Sequence, residues 1–108
     1  MSYKIETIEP FDKQLKKLSK KYHSIKQDII WLSEQLEANP LMGTAIGKGC
    51  FKVRMAITSK GKGKPGGARV ITYVQIIEET VYLLSIYDKS EIENLTDDEV
   101  LNLLKLIE

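Results

Sequence analysis

Lys52 and Arg54 lie two residues apart and alternate with Phe51, Val53 and Met55, so an extended chain turns both cations to one side and the apolar residues to the other. Around them, residues 38–77 hold seven Lys or Arg and no acid, while residues 78–108 hold nine acids against two Lys. An acid-free basic segment predicts a positive surface for a polyanion, which the net charge of +1 conceals, and nucleic acid is the polyanion that fits it. Arginine meets two phosphate oxygens at once with its planar fork, which makes Arg54 and Arg69 the candidate phosphate ligands. A lysine among other cations loses its proton more easily, so Lys52 or Lys89 could act as base or acid, with Tyr87 the other candidate acid. Lys48 and the loop lysines Lys60, Lys62 and Lys64 suit contact with RNA phosphates better than chemistry, because a flexible loop positions groups loosely. Each residue also has a plainer reading. Lys52 and Arg54 fit a solvated strand face, Arg69 a hairpin contact, and Tyr87 packing at the edge of the core.

Other chemistries are poorly supplied. His23 is the only histidine, which excludes a two-histidine acid–base pair, and it falls at an expected helix junction outside the basic segment. Cys50 is the only cysteine, so no internal disulfide can form, and a small buried hydrophobe is its expected role. The basic segment has no carboxylates to hold a catalytic metal, and neither a metal nor another cofactor is expected. SKGKGK lacks the GxxxxGK[ST] spacing of a nucleotide-binding loop. No apolar run approaches the length of a bilayer span and the first residues lack a signal-peptide pattern, so the expected location is cytoplasmic.

The elements that must position these residues follow from periodicity. At 108 residues one domain is expected. Residues 3–8 read as a short strand, and Pro10 opens a helix whose Phe11, Leu15, Leu18 and Tyr22 form one stripe. Its lysines, Lys13, Lys16, Lys17, Lys20 and Lys21, read as a solvated face with ribosomal RNA contact as the alternative. Ser24 and Gln27 suggest a capping box for a second helix through Leu36, ended by Asn39-Pro40 and carrying Trp31 as a packing or partner-contact residue. Residues 41–49 read as a loop, and Phe51–Ile57 as a strand. The run SKGKGKPGG (59–67) predicts a mobile hairpin loop with neither strand nor helix. Strands near Ala68–Ile77 and Thr80–Tyr87 join through Glu78-Glu79, and Thr96 with Glu99 caps a final helix bearing Val100, Leu103, Leu104 and Ile107. The order β-α-α-β-β-β-α predicts an α+β fold, an antiparallel sheet with helices packed on one face and the other face open.

Phe51-Lys-Val-Arg-Met, the SKGKGKPGGAR loop and VYLLSIYDKSE resemble the RelE/ParE superfamily of toxins, most closely the HigB-type branch, across essentially the whole chain. The resemblance implies a type II toxin that cuts mRNA in the ribosomal A site and is held inactive by a cognate antitoxin, with operator DNA bound only through the antitoxin complex. By motif, Lys52 and Arg54 match the paired basic positions of the central strand and Arg69 the arginine opening the next. Lys89 falls near the basic residue after the last strand, and Tyr87 matches the tyrosine of the HigB-like Ile-Tyr motif. RelE proper places a tyrosine in its last helix; residues 96–108 contain none. The ParE branch instead poisons DNA gyrase, and a non-catalytic RNA-binding module is the third reading. For RNA cleavage without metal, the RNA's 2′-hydroxyl attacks the adjacent phosphate while cations stabilise the pentacoordinate intermediate.

Overall fold

A computed structural model describes residues 2–107. The chain runs β1 (Lys4–Thr7), α1 (Glu9–Ser19), α2 (Ile25–Ala38), β2 (Thr44–Gly47), β3 (Cys50–Met55), β4 (Ala68–Gln75), β5 (Thr80–Asp88) and α3 (Asp97–Leu104). The five strands form one sheet in the order β1-β5-β4-β3-β2. The α+β class stands, with two differences of pairing. β1 lies parallel to β5 while the other pairs are antiparallel, so the sheet is mixed. β2 adds a strand inside the segment read as a loop; all four of its residues are exposed, so no alternation of burial marked it.

Pro10 stands in the first turn of α1, where its missing N–H costs nothing, and Phe11 behind it is fully buried. The helix stops at Ser19, but the amides of Lys21 and Tyr22 still reach the Leu18 carbonyl, which carries the apolar stripe to half-buried Tyr22. In α2, Ile25, Ile29, Leu32 and Leu36 are buried as their spacing predicts. Its expected capping box is not formed. Ser24 is itself helical, and its hydroxyl donates to Asp28 Oδ2 at 2.9 Å, because that carboxylate one turn on outcompetes the backbone. At α3 the Thr96–Glu99 capping box is present in both directions.

Direct pairing gives Val53↔Val70↔Ile86 on one sheet face and Arg54↔Arg69↔Tyr87 on the other. The first face joins the buried residues of α1 and α2 in one hydrophobic core. α3 does not join those helices: its Val100 sits with Lys52, Ile71 and Tyr87, and its Leu104 with Tyr73, so it covers part of the second face. Tyr73 and Ile71 offer apolar surface there that leaving the face bare would waste. Only the end of that face bearing Arg54 and the 61–67 loop remains open.

β5 carries a bulge, with Ile71 opposite Ser85 but Thr72 opposite Leu83. Tyr82 and Tyr87, five residues apart, would face opposite ways on a regular strand; the extra residue, Leu84, returns both to the same face. Tyr82 stacks on Tyr73 there, with ring centroids 6.2 Å apart. At the root of β4, Gly67 passes so close to β3 that a Cβ would lie 2.2 Å from the Met55 carbonyl oxygen. Backbone leaves that oxygen nowhere to go. Gly67→Ala is therefore expected to cost at least about 2 kcal/mol in urea unfolding, and wild-type stability would show that the strands do not approach this closely.

Candidate RNA-cleavage site

The register places Arg54, Arg69 and Tyr87 side by side across three strands, with Lys52 two residues from Arg54 on the same face. Arg54 is exposed at the open end. Arg69 is only 5% exposed and donates to three carbonyls: Lys64 O at 3.0 Å, Ala68 O at 3.1 Å and Pro65 O at 3.4 Å. Burial first, and then the charge of Arg54, press its pKa below the usual arginine value, yet a guanidinium keeps its proton. Lys52 Nζ donates to Asn94 Oδ1 at 2.8 Å. Lys89 is exposed one residue past the strand, its amide bonded to Gly67 O, which extends the β4–β5 pairing beyond Asp88. Among the described residues no ion pair reaches Lys52, Arg54, Arg69 or Lys89.

Tyr87 is 4% exposed, and its hydroxyl has no hydrogen-bond partner among the described residues. Burial pushes its pKa up, opposed by Arg69 and by the Leu95 backbone, which is near without completing a hydrogen bond. A neutral phenol beside the Arg69 guanidinium is a proton donor awaiting an acceptor.

Lys60 is not a free loop cation. Its Nζ lies 2.8 Å from Asp88 Oδ1, its side chain is only 12% exposed, and it stands 5.6 Å from the centre of the Tyr22 ring. Asp88, 1% exposed, also accepts from the Tyr22 hydroxyl and from the Ser90 amide and hydroxyl. The segment expected to be mobile thus begins with a 3-10 turn, Thr58–Lys60, whose Thr58 donates its amide and hydroxyl to Asp28. With Lys60 held at one end and Arg69 gripping the Lys64 and Pro65 carbonyls at the other, Lys62 and Lys64 are exposed on a strapped loop. Lys48 is not brought to this site. It occupies the β2–β3 turn with φ of 57° between Gly47 and Gly49, near Tyr73 and Ile107, more than about 13 Å along the strands from Arg54.

Asp88, Asp28 and Asn94 were not singled out in the sequence. Asp88 alone carried a signal, since alternation from Ile86 puts it on the core face, where a carboxylate needs a partner. His23 is exposed, Cys50 is buried, and Trp31 is half exposed on the outer side of α2. No cluster of His, Cys, Asp or Glu suited to a metal exists among the described residues, nor any helix long and apolar enough to cross a membrane.

A family model described as the RelE toxin of the RelE/RelB toxin–antitoxin system matches residues 9–107. The chain belongs to the RelE toxin family. Its fold is similar to that of a free-state mutant of the E. coli toxin RelE, with a TM-score of 0.62 at 17% identity over 86% of this chain and 90% of that one. An isolated E. coli RelE toxin gives 0.58 at 15% identity, covering 96% and 98% of the two chains. A chain of the toxin–antitoxin complex RelBE2 from Mycobacterium tuberculosis gives 0.59 at 15% identity over 82% and 92%. At such identities the likeness is one of fold.

In this RelE-family chain, burial alone would raise the Asp88 pKa, but the bonds from Lys60, Tyr22 and Ser90 prevail and hold it well below the usual carboxylate range. A depressed carboxyl stabilises the fold above its unfolded pKa, and that contribution fades as pH falls toward the folded value. Asp88→Asn, which leaves the Lys60 ammonium without a counter-charge, is expected to cost about 3 kcal/mol at pH 7. It should also flatten the loss of stability below about pH 4, measured by chemical denaturation across pH. An unchanged acid limb would remove Asp88 from this role.

Proposed function

We propose that this chain is the toxin of a type II toxin–antitoxin pair, an endoribonuclease that cuts mRNA on the ribosome without a metal. The observation that carries the reading is the row Arg54–Arg69–Tyr87, flanked by Lys52 and Lys89, in which no cation has a carboxylate partner among the described residues. Buried charge normally recruits its own counter-ion, so a row left without one suits an anion from outside. The anion of matching shape is a phosphodiester.

In the proposed reaction Arg54, and the N–H groups of Arg69 that no carbonyl occupies, hold the non-bridging oxygens. The 2′-hydroxyl attacks phosphorus, the bond to the 5′-oxygen breaks, and the products are a 2′,3′-cyclic phosphate and a 5′-hydroxyl. Lys52 or Lys89 takes the 2′ proton, and the Tyr87 hydroxyl donates one to the departing 5′-oxygen. Neither lysine nor tyrosine matches neutral pH well, so rate depends on the ribosome holding the RNA in line. Lys62 and Lys64 suit phosphate or rRNA contacts. Inhibition by a cognate antitoxin follows if the partner covers the cationic face, and the known RelBE2 complex makes that partnership the natural expectation. Operator DNA would then be reached only through the complex, and work on ribosomes would place the chain in the cytoplasm.

Arg54→Ala separates activity from folding. In a translating extract it should cut mRNA about 10²–10³-fold more slowly, the usual loss for one preorganised donor. Its stability should not fall, because like charges directly opposite destabilise a sheet. Cleavage by the variant at the wild-type rate would remove Arg54 from the site; transcripts left intact by the wild-type protein would sink the nuclease reading, and with DNA-damage signalling would favour gyrase instead.

A further inference from the structure

β1 pairs with β5 only as far as Leu83, and beyond that point a cleft of about 590 Å³ opens between α1 and the segment that follows β5. Leu18, Ile86, Ile92 and Leu95 line it with apolar surface, and Tyr87, a member of the cationic row, is part of its wall. Three carboxylates also border the cleft, but each has a partner: Asp88 holds Lys60, Glu91 holds Lys21 at 3.1 Å, and Glu99 accepts the Thr96 amide. The exposed amines of Lys17 and Lys20, which border it too, have no ion-pair partner among the described residues. An apolar hollow with unpaired amines beside it complements a molecule that joins a flat base to an anionic group.

We propose that this cleft is a subsite for one nucleotide of an RNA chain crossing the Arg54–Arg69–Tyr87 row, with the base against Leu18 and Ile92 and a phosphate on Lys17 and Lys20. The assignment rests on the RNA reading of the row. Aromatic and apolar walls accept an unstacked base whatever its sequence, and lysines hold its phosphate as point charges. Continuity through Tyr87 and the unpaired amines favour RNA over a protein segment. The subsite also gives a use to two lysines at the end of α1, Lys17 in its last turn and Lys20 just beyond it, that neither fold nor chemistry requires; Lys13, by contrast, is paired with Glu9.

The test is methyl NMR of the intact protein with a hexaribonucleotide made uncleavable by 2′-O-methylation. The Leu18 and Ile92 methyl signals should shift on titration. Lys17→Gln/Lys20→Gln should abolish those shifts and lower the slope of log affinity against log salt by about 1.4, the value for two lost phosphate contacts on a single strand. Silent Leu18 and Ile92 methyls while residues around Arg54 respond would overturn the subsite. So would shifts that appear only with the cognate antitoxin, which would give the cleft to a protein. Cleavage of mRNA with a silent cleft leaves the nuclease reading standing and sinks the subsite alone; cleft shifts without cleavage on ribosomes do the reverse.

Discussion

Arg54 and Arg69 stand directly opposite one another on neighbouring strands, and neither has an ion-pair partner among the described residues. Like charges in that position work against the sheet, and partial burial of Arg69 adds desolvation to the repulsion. Three backbone carbonyls offset part of this by accepting from Arg69, but they carry no net charge. What remains is a positive potential that only an outside anion can neutralise. Of the acids nearby, Asp88 is engaged with Lys60 and Glu99 with the amide that starts α3, while Asp97, which lines a hollow with Lys52 and Tyr87, forms no ion pair among the described residues. The protein thus keeps a site of low intrinsic stability on a frame whose buried carboxylates, Asp28 and Asp88, are well partnered, a common division between stability and function.

That frame works through a few local devices. Bulging at Leu84 turns Tyr87 onto the cationic face while Asp88 stays on the core side. There Asp88 draws together the end of β5, the turn after it, Tyr22 beyond α1 and Lys60 at the loop root. The same residue that removes one lysine from the exposed cationic surface therefore fixes the loop carrying two others. Arg69 has the complementary part at the far end of the loop, so its guanidinium both braces Lys64 and Pro65 and faces Arg54.

Strong periodicities were legible in the sequence. The alternation of Lys52 and Arg54 with Val53 and Met55, the α2 stripe from Ile25 to Leu36 and the Thr96 cap all depend on neighbours a few residues away, and all formed as read. Features set by distant partners were not legible. β2 is exposed throughout and exists because the edge of β3 offers hydrogen bonds, and β1 takes its parallel place beside β5 from the far end of the chain. Likewise Lys60 looks the same as Lys62 in a Lys/Gly run; a carboxylate 28 residues later makes one structural and leaves the other free. The face chosen by α3 depended on apolar residues interspersed with the cations of the site, namely Ile71 and Tyr73. Charge pattern alone had marked that face as open.

The reaction proposed for this cationic row is internal attack by the 2′-hydroxyl. The chemical ends of the RNA record that choice directly. When mRNA fragments are recovered from translating ribosomes after brief exposure to the protein, the account predicts 2′,3′-cyclic phosphate on the upstream fragment and a 5′-hydroxyl on the downstream one. Fragments ending in 3′-hydroxyl and 5′-phosphate, the mark of water activated by a metal, would contradict it.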